Sequence, residues 1–263
     1  MKHKKVFYAL TVSLYVIVLL LCLSFLFSVQ EVKCNYSMVT ISERYQAVNE
    51  KLEKYENKNL LFVNTSKIKK ELQKDPYIKV ISIKKDFPNK ILVNIEERRE
   101  MFSLETETQK FILDENYFVL KSVDKSAETE VISLKLNYVN FSTQELKVGK
   151  EINAIQDDII VCVNQMLSIF SDWKNILKGI EVEQVFGENN NYRVYFYTNQ
   201  GVVIEIRKAL EDGTTKAQNA YDRYSTLTDY EKTKGKILSY KKADGTFAVD
   251  YTLTVLSKGD ENA

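Results

Sequence analysis

The strongest constraint on this chain is an uncharged apolar run close to its N-terminus. Val6 to Phe27 are 22 consecutive residues without a charge, a proline or a glycine. At about 1.5 Å of rise per residue, a helix of this length is roughly 33 Å long, which matches the hydrocarbon core of a bilayer. A secretory signal peptide has a shorter apolar core and a small-x-small cleavage site, and this run has neither. The run therefore predicts an uncleaved transmembrane helix over residues 6–28.

The charges on either side of the run predict its orientation. Three lysines lie within residues 1–5, whereas Glu31 and Lys33 cancel each other beyond the run. The basic flank of a membrane helix stays on the cytoplasmic side. We therefore expect residues 1–5 to form a cytoplasmic tail. Everything from about Gln30 onward is expected outside the cytoplasm, anchored to the plasma membrane by a single pass.

Composition argues against several kinds of functional site. The 263 residues carry a net charge of +1, and setting aside the three N-terminal lysines leaves 34 basic against 36 acidic side chains. Domains that bind nucleic acid are clearly basic. His3 is the only histidine and no C-x-x-C spacing occurs, so a His-based catalytic pair or zinc site is excluded from the exported region. We predict a non-enzyme with no catalytic residue, metal, cofactor, nucleic-acid partner or small-molecule substrate.

Residues 29–100 show the pattern of a small α+β unit. A short strand near Val29 precedes two helical stripes, and Pro76 ends the second of them. Residues 77–85 are rich in Ile and Val, and alternating apolar positions over 91–95 indicate a further strand. The predicted order is strand–helix–helix–strand–strand, in which both helices can cover one face of the sheet.

The second half of this unit contains a characteristic spacing of residues. These are Pro76, Ile78, Ile83, Pro88, Glu97 and Arg98. A proline after the second helix, a hydrophobic strand, a Pro-Asn turn and a strand ending in Glu-Arg resemble the polypeptide-transport-associated (POTRA) domain of FtsQ/DivIB proteins, a family of bacterial cell division proteins. Glu100 departs from the family, which often has a proline there. We interpret the charged run Glu96 to Arg99 as a solvated strand end.

Residues 101–255 combine short strands with two helical stripes. Strand patterns occur at 111–120, 131–136, 180–186, 192–197 and 202–206, helical stripes at 155–170 and 217–227, and a terminal hairpin at 236–253. This order is similar to the β domain that follows the POTRA domain in the family. We therefore expect an α+β fold whose second domain is a mixed, mainly antiparallel sheet with two helices, followed by a disordered tail at 256–263.

One turn of this second region departs from the family pattern. The family has an Asp-x-x-Gly turn, and here the sequence is Asp114-Glu115-Asn116-Tyr117. Asn116 or Tyr117 thus stands in place of the glycine. Because asparagine tolerates the left-handed conformation better than most residues, we expect the turn to be kept.

The terminal hairpin is the predicted binding site. A strand at the end of a sheet leaves backbone N–H and C=O groups that an incoming chain can pair with, and tyrosine is enriched at protein interfaces. The family resemblance implies that the last strands engage an FtsB/DivIC-like partner, in a complex with an FtsL-like protein at the division septum. It also implies that the POTRA domain helps to direct the protein there. The predicted partner-binding residues are Tyr240, Phe247, Val249 and Tyr251.

Two other functions are compatible with parts of the sequence. POTRA domains also occur in protein secretion and assembly systems, so a component of such a system is the alternative, although the long series of alternating strands that follows in those proteins is not seen here. A membrane-anchored hydrolase that uses a Ser-Lys or carboxylate pair is a third hypothesis. No spacing of residues favours it.

Overall fold

A computed structural model describes residues 2–37, 42–137, 146–152, 157–170, 172–185 and 191–253. The chain divides into two compact units, Met1–Arg98 and Arg99–Ala263. The disordered tail predicted at 256–263 lies outside the described residues.

The first unit begins with one long helix. Helix α1 runs from Lys2 to Leu26. Within the described ranges, no helix has both the length and the hydropathy required to cross a membrane. The transmembrane helix at 6–28 therefore stays a prediction.

The rest of the first unit has the predicted order of elements. They are β1 (Glu31–Tyr36), α2 (Ser42–Glu53), a 3-10 turn (Leu60–Phe62), α3 (Thr65–Leu72), β2 (Ile78–Asp86) and β3 (Lys90–Glu97). Strand β3 is central in a three-stranded sheet, with β1 parallel on one side and β2 antiparallel on the other. The strand–helix–helix–strand–strand prediction is confirmed.

Alternation along β3 positions the core of this unit. Ile91, Val93 and Ile95 are buried on one face of the sheet, because successive side chains of a strand point to opposite faces. Leu52 of α2 and Ile68 of α3 are buried in the same cluster. Both helices therefore close the core against a single face of the sheet, as the element order predicted.

The second unit contains a nine-stranded sheet among the described residues. Its strands are β4 (Phe102–Glu105), β5 (Gln109–Leu113), β6 (Val119–Asp124), β7 (Ile132–Asn137), β8 (Leu177–Gln184), β9 (Tyr192–Thr198), β10 (Val203–Ile206), β11 (Lys236–Lys241) and β12 (Phe247–Thr252). Their order across the sheet is β12-β11-β10-β9-β8-β7-β4-β5-β6. Three neighbouring pairs are parallel (β4–β7, β7–β8 and β10–β11) and the others antiparallel.

Two long helices cover the core of this sheet. They are α4 (Asp157–Ile169) and α6 (Gly213–Ser225), and the single turns α5 (Trp173–Ile176) and α7 (Asp229–Lys232) are short additions. Val163 and Met166 of α4 and Ala217 and Ala220 of α6 are buried in one cluster with side chains from most strands of the sheet. The predicted α+β class, with a mixed and mainly antiparallel sheet and two main helices, is confirmed.

The turn at residues 114–117, which lacks the glycine of the family pattern, is formed in the structure. Tyr117, and not Asn116, takes the position of the glycine. Asp114 Oδ1 accepts the backbone N–H groups of Asn116 at 2.8 Å and Phe118 at 2.9 Å. Tyr117, and not Asn116, adopts the left-handed conformation, with φ 57°. Its buried ring packs 5.2 Å from that of Phe102. Core packing of the tyrosine thus offsets a backbone conformation that bulky residues avoid.

Candidate functional site: the free edge of the nine-stranded sheet

The terminal hairpin is closed by a short hydrogen-bonded turn between β11 and β12. The N–H of Lys242 donates to the carbonyl of Thr246 at 2.8 Å. Asp244 Oδ1 accepts the backbone N–H of Thr246 at 2.9 Å and its hydroxyl at 2.6 Å. Gly245 has φ +85°, which a residue without Cβ adopts at little cost. These bonds fix the register of the hairpin.

Strand β12 lies at one edge of the sheet, with β11 as its neighbour. The N–H of Val203 in β10 donates to the carbonyl of Gly235 at 3.1 Å, and the N–H of Arg207, directly after β10, donates to the carbonyl of Ser239 at 3.2 Å. The odd-numbered residues of β11 therefore face β10, and the even-numbered residues between them face β12. In the observed register these are paired with Ala248, Asp250 and Thr252. By the alternation of an antiparallel ladder, the N–H and C=O groups of residues 247, 249 and 251 point away from β11. Within the described residues they face an open edge.

The four predicted partner-binding residues do not share one face. Phe247, Val249 and Tyr251 lie on the face that carries buried Ile237, because directly paired residues of neighbouring strands point the same way. Val249 and Tyr251 are half-buried and pack against the core. Tyr240 is paired with Ala248 and therefore points to the opposite face. The structure brings three of the four together and separates Tyr240 from them.

Tyr251 has a clear structural role. Its hydroxyl lies 3.0 Å from the carbonyl oxygens of both Glu231 and Lys234, to either of which it can donate a hydrogen bond. The ring fills the space beside Gly235, where an added Cβ would come within 2.8 Å of the ring and φ is +128°. Tyr251 therefore clamps β12 onto the loop before β11, and only glycine fits at the contact point.

Phe247 is the most accessible of the four, and Tyr240 is half-buried on the opposite face. Phe247 is 37% exposed, and the Lys241 ammonium lies 5.6 Å from its ring centroid. A hydrogen bond to Asp250 raises the pKa of Tyr240, because it stabilises the protonated phenol beside a carboxylate. Tyr240 also borders a cleft of about 390 Å³ that Arg193, Arg207, Lys208, Lys241 and Lys242 help to line. Glu211 lines the same cleft, and Arg207 and Lys241 are paired with Glu205 and Asp212, so the cleft is of mixed charge.

The POTRA motif residues lie in one small region of the first unit. Pro76 stands between α3 and β2, Ile78 is buried at the start of β2, and Ile83 is half-buried further along it. Pro88 lies in the exposed turn between β2 and β3. These four residues lie in the β2–β3 hairpin or directly before it, and we interpret their role as structural.

Glu97 was expected at a solvated strand end, and that expectation is wrong. It is only 7% exposed. Its carboxylate pairs with Arg44 of α2, which also donates to Asp75 Oδ2 at 3.1 Å and stacks 4.2 Å over the ring of Tyr77. A buried carboxylate requires such a partner because desolvation disfavours an unpaired charge. Glu97 therefore fastens α2 to the end of β3.

Sequence reasoning missed Arg44 and Gly235. Arg44 is one of many charged residues on a helix, and no local pattern links it to a strand more than fifty residues away. Gly235 did carry a signal, since it directly precedes a predicted strand, where a glycine often marks a close approach of chains. The approach of the Tyr251 ring could not be foreseen without the register.

Comparison with known proteins supports the family indicated by the motif. Residues 40–98 match the family model of the FtsQ-type POTRA domain. The chain is 25% identical over 177 residues to the cell division protein DivIB of Clostridium tetani, covering 67% of this chain and 62% of that one. It is 27% identical over 157 residues to DivIB of Clostridium acetobutylicum, covering 59% and 58%. The match thus spans about three fifths of the length of these relatives.

A solved structure gives a weaker likeness. The major extracytoplasmic domain of DivIB from Geobacillus stearothermophilus has 19% identity and a TM-score of 0.29, covering 50% of this chain and 98% of that one. A similarity of this size carries no argument about function. The motif, the family model and the relatives agree, and the chain is related to the FtsQ/DivIB family through an FtsQ-type POTRA domain.

Proposed function

We propose that this chain is a non-catalytic scaffold of the bacterial cell division machinery. It is anchored in the plasma membrane at the septum, with its C-terminal region outside the cytoplasm, and holds FtsL-like and DivIC/FtsB-like proteins. The relatives that it matches are named cell division proteins, which supports this role. The observation that carries the binding mechanism is the free edge of β12.

Membrane anchoring is supported by the residues of α1. Its uncharged run contains only apolar and hydroxyl-bearing side chains and one cysteine. Leu10, Leu21 and Phe25 are among the large apolar side chains that this helix exposes. Exposed in water, such a surface is strongly unfavourable, whereas hydrocarbon accommodates it. The three lysines before the run support a cytoplasmic N-terminus, because the basic flank of a membrane helix stays on that side.

Partner binding is supported by the geometry of the edge. The backbone groups of residues 247, 249 and 251 point away from β11, so an incoming strand can extend the sheet without displacing an existing one. Phe247 supplies an exposed aromatic contact beside these groups.

The decisive experiment removes one outward N–H group. Val249→Pro deletes the donor at the centre of the free edge, and prolines are tolerated at edge strands because no ladder bond within the sheet is lost. Full-length protein is purified in detergent from its native cells, and the proteins that accompany it are identified. We expect two small single-pass division proteins with the unchanged chain and their loss with Val249→Pro.

A matched variant separates the backbone from the side chain. Val249→Ala removes most of the side chain but keeps the N–H, so the partners should remain bound. Equal loss with both variants would show that the side chain, and not strand addition, holds the partner. Retention of the partners by Val249→Pro would contradict the edge mechanism. Recovery of secretion or assembly proteins alone would replace the division role with the alternative function.

A further inference from the structure

Two turns of the first unit are fixed to the residues that directly follow α1. The N–H of Leu60 donates to the carbonyl of Phe27 at 2.7 Å, and the ring of Phe27 packs edge-on against that of Phe87, with centroids 6.0 Å apart. The N–H of Gln30 donates to the carbonyl of Asn89 at 2.9 Å, and the Asn89 amide donates to Gln30 Oε1 at 2.7 Å. The 3-10 turn and the β2–β3 turn are thus held beside the end of α1.

These two turns carry large apolar side chains that the core does not use. Phe62 is 85% exposed, Phe87 57% and Leu61 48%. We call these three residues the apolar tip. Single exposed apolar side chains are ordinary, but three on adjoining turns form a patch of the kind that marks an interaction surface.

Three lysines lie near the apolar tip, and the exposed Asp86 directly precedes Phe87. Lys85 lies next to it, because its ammonium donates to the carbonyl of Leu61 at 3.0 Å. Lys84 is its exposed neighbour on β2. Lys58 is exposed two residues before the 3-10 turn, and its ammonium lies 4.7 Å from the ring centroid of Tyr55. Aromatic and aliphatic side chains rimmed by lysines have the composition of a surface that binds the interface of an anionic membrane.

We propose that the apolar tip inserts into the headgroup region of the bilayer that α1 crosses, with the three lysines against anionic phospholipid headgroups. The inference rests on the proposed membrane anchoring of α1. The position of the tip next to the end of α1 supports this proposal. The tip contacts the first residues after the helix, and these are the residues that leave the bilayer. Phenylalanine and leucine side chains bury their apolar surface at the boundary between the headgroups and the acyl chains. Insertion of the tip fixes the orientation of the POTRA domain relative to the membrane surface.

The test places a tryptophan in the tip of the full-length chain. Trp173 is the only tryptophan, so Trp173→Phe gives a background into which Phe62→Trp is introduced. The protein is reconstituted into vesicles of phosphatidylglycerol and phosphatidylcholine, with and without bromine on the lipid chains close to the headgroup. Ile81→Trp is the matched control, since Ile81 is also exposed but lies five residues before the end of β2, about 17 Å along the strand.

The inference predicts that brominated lipid quenches the tryptophan at position 62 several times more strongly than the one at position 81. Flotation of the vesicles after an alkaline wash reports the anchor separately. Stable flotation with no quenching at either position would overturn the tip insertion and leave the anchor intact. Equal quenching at both positions would also overturn it, because the unit would then lie on the membrane without a preferred tip. Loss of flotation would remove the anchor and the inference together.

Discussion

The last strand of the first unit and the last strand of the second differ in how much of their backbone is paired. Strand β3 has β1 on one side and β2 on the other, so the N–H and C=O groups along it face a neighbouring strand in both directions. Strand β12 has β11 on one side, and within the described residues its other side is open. Both hairpins expose a phenylalanine, Phe87 in one and Phe247 in the other.

The two strands illustrate two ways in which a protein surface can bind a partner: through exposed side chains or through unpaired backbone groups. In the POTRA hairpin only β3 has neighbours on both sides, whereas β2 is an edge strand with β3 alone beside it among the described residues. What distinguishes this hairpin is the exposed phenylalanine at its turn. The terminal hairpin offers backbone groups as well, and backbone pairing provides affinity for a strand of almost any sequence, while side-chain contacts select it. We therefore propose partner binding at β12 and orientation on the membrane through the apolar tip.

Proline substitution in β3 and in β12 tests this comparison, and it has the largest expected effect on the free energy of unfolding. Val93→Pro, at a buried position of central β3, removes a ladder hydrogen bond and forces an unsuitable φ. We expect it to lower the free energy of unfolding of the first unit by about 3 kcal/mol or more. Val249→Pro should lower the stability of the second unit by less than about 1 kcal/mol. Circular dichroism during denaturant unfolding of the full-length variants measures both. Equal losses would contradict the contrast between the two strands.

The next effect comes from the ion network that holds α2. Arg44→Met keeps much of the side-chain volume but leaves the Glu97 carboxylate buried without this partner. We expect a loss of about 3 kcal/mol in the free energy of unfolding, because breaking a buried ion pair by removing its cation is costly. The double variant Arg44→Met, Glu97→Gln should recover part of that loss. No recovery in the double variant would show that Arg44 acts through its packing on Tyr77.

A smaller effect is expected from the clamp on β12. Tyr251→Phe removes the hydroxyl that reaches the carbonyls of Glu231 and Lys234 but keeps the ring beside Gly235. The expected loss is about 1 kcal/mol, the usual contribution of one hydrogen bond. Amide hydrogen exchange along β12 should become faster. Unchanged exchange would mean that ring packing alone holds the strand.

The smallest effect on stability concerns one thiol in each unit. Burial raises the pKa of both the Cys34 thiol and the Cys162 thiol to about 11. At pH 8 the thiolate fraction should be about a hundredfold lower than for an exposed cysteine, and alkylation correspondingly slow. The raised pKa also means that stability falls as pH rises above the unfolded thiol's range, since the unfolded chain releases the proton first. Site-resolved mass spectrometry after iodoacetamide treatment measures the rates. Fast labelling of either thiol would show that its core opens.

Some features of the fold could be predicted from local patterns and others could not. Alternation at Ile91, Val93 and Ile95 predicted β3 and its buried face, because burial there follows from the period of a strand. The burial of Glu97 was missed because its partner Arg44 comes from a distant helix. The left-handed Tyr117 was missed because core packing against Phe102 offsets an unfavourable local preference.

The candidate site shows the same limit. The hairpin and its aromatic residues were visible in the sequence, and the family resemblance pointed to the last strands. Which residues share a face depends on the register of β11 with β12, and this separates Tyr240 from the other three. The outward direction of residues 247, 249 and 251 depends on the bonds between β10 and β11, which no local pattern encodes.

The most direct test of the central claim is amide hydrogen exchange of the full-length protein, resolved to single residues, with and without the co-purified division partner. Strand addition predicts that the amides of Phe247, Val249 and Tyr251 exchange readily alone and become protected in the complex. The amides of Ala248 and Asp250 should be protected in both states, since they face β11. Protection confined to other surfaces, with the Val249 amide unchanged, would contradict the account.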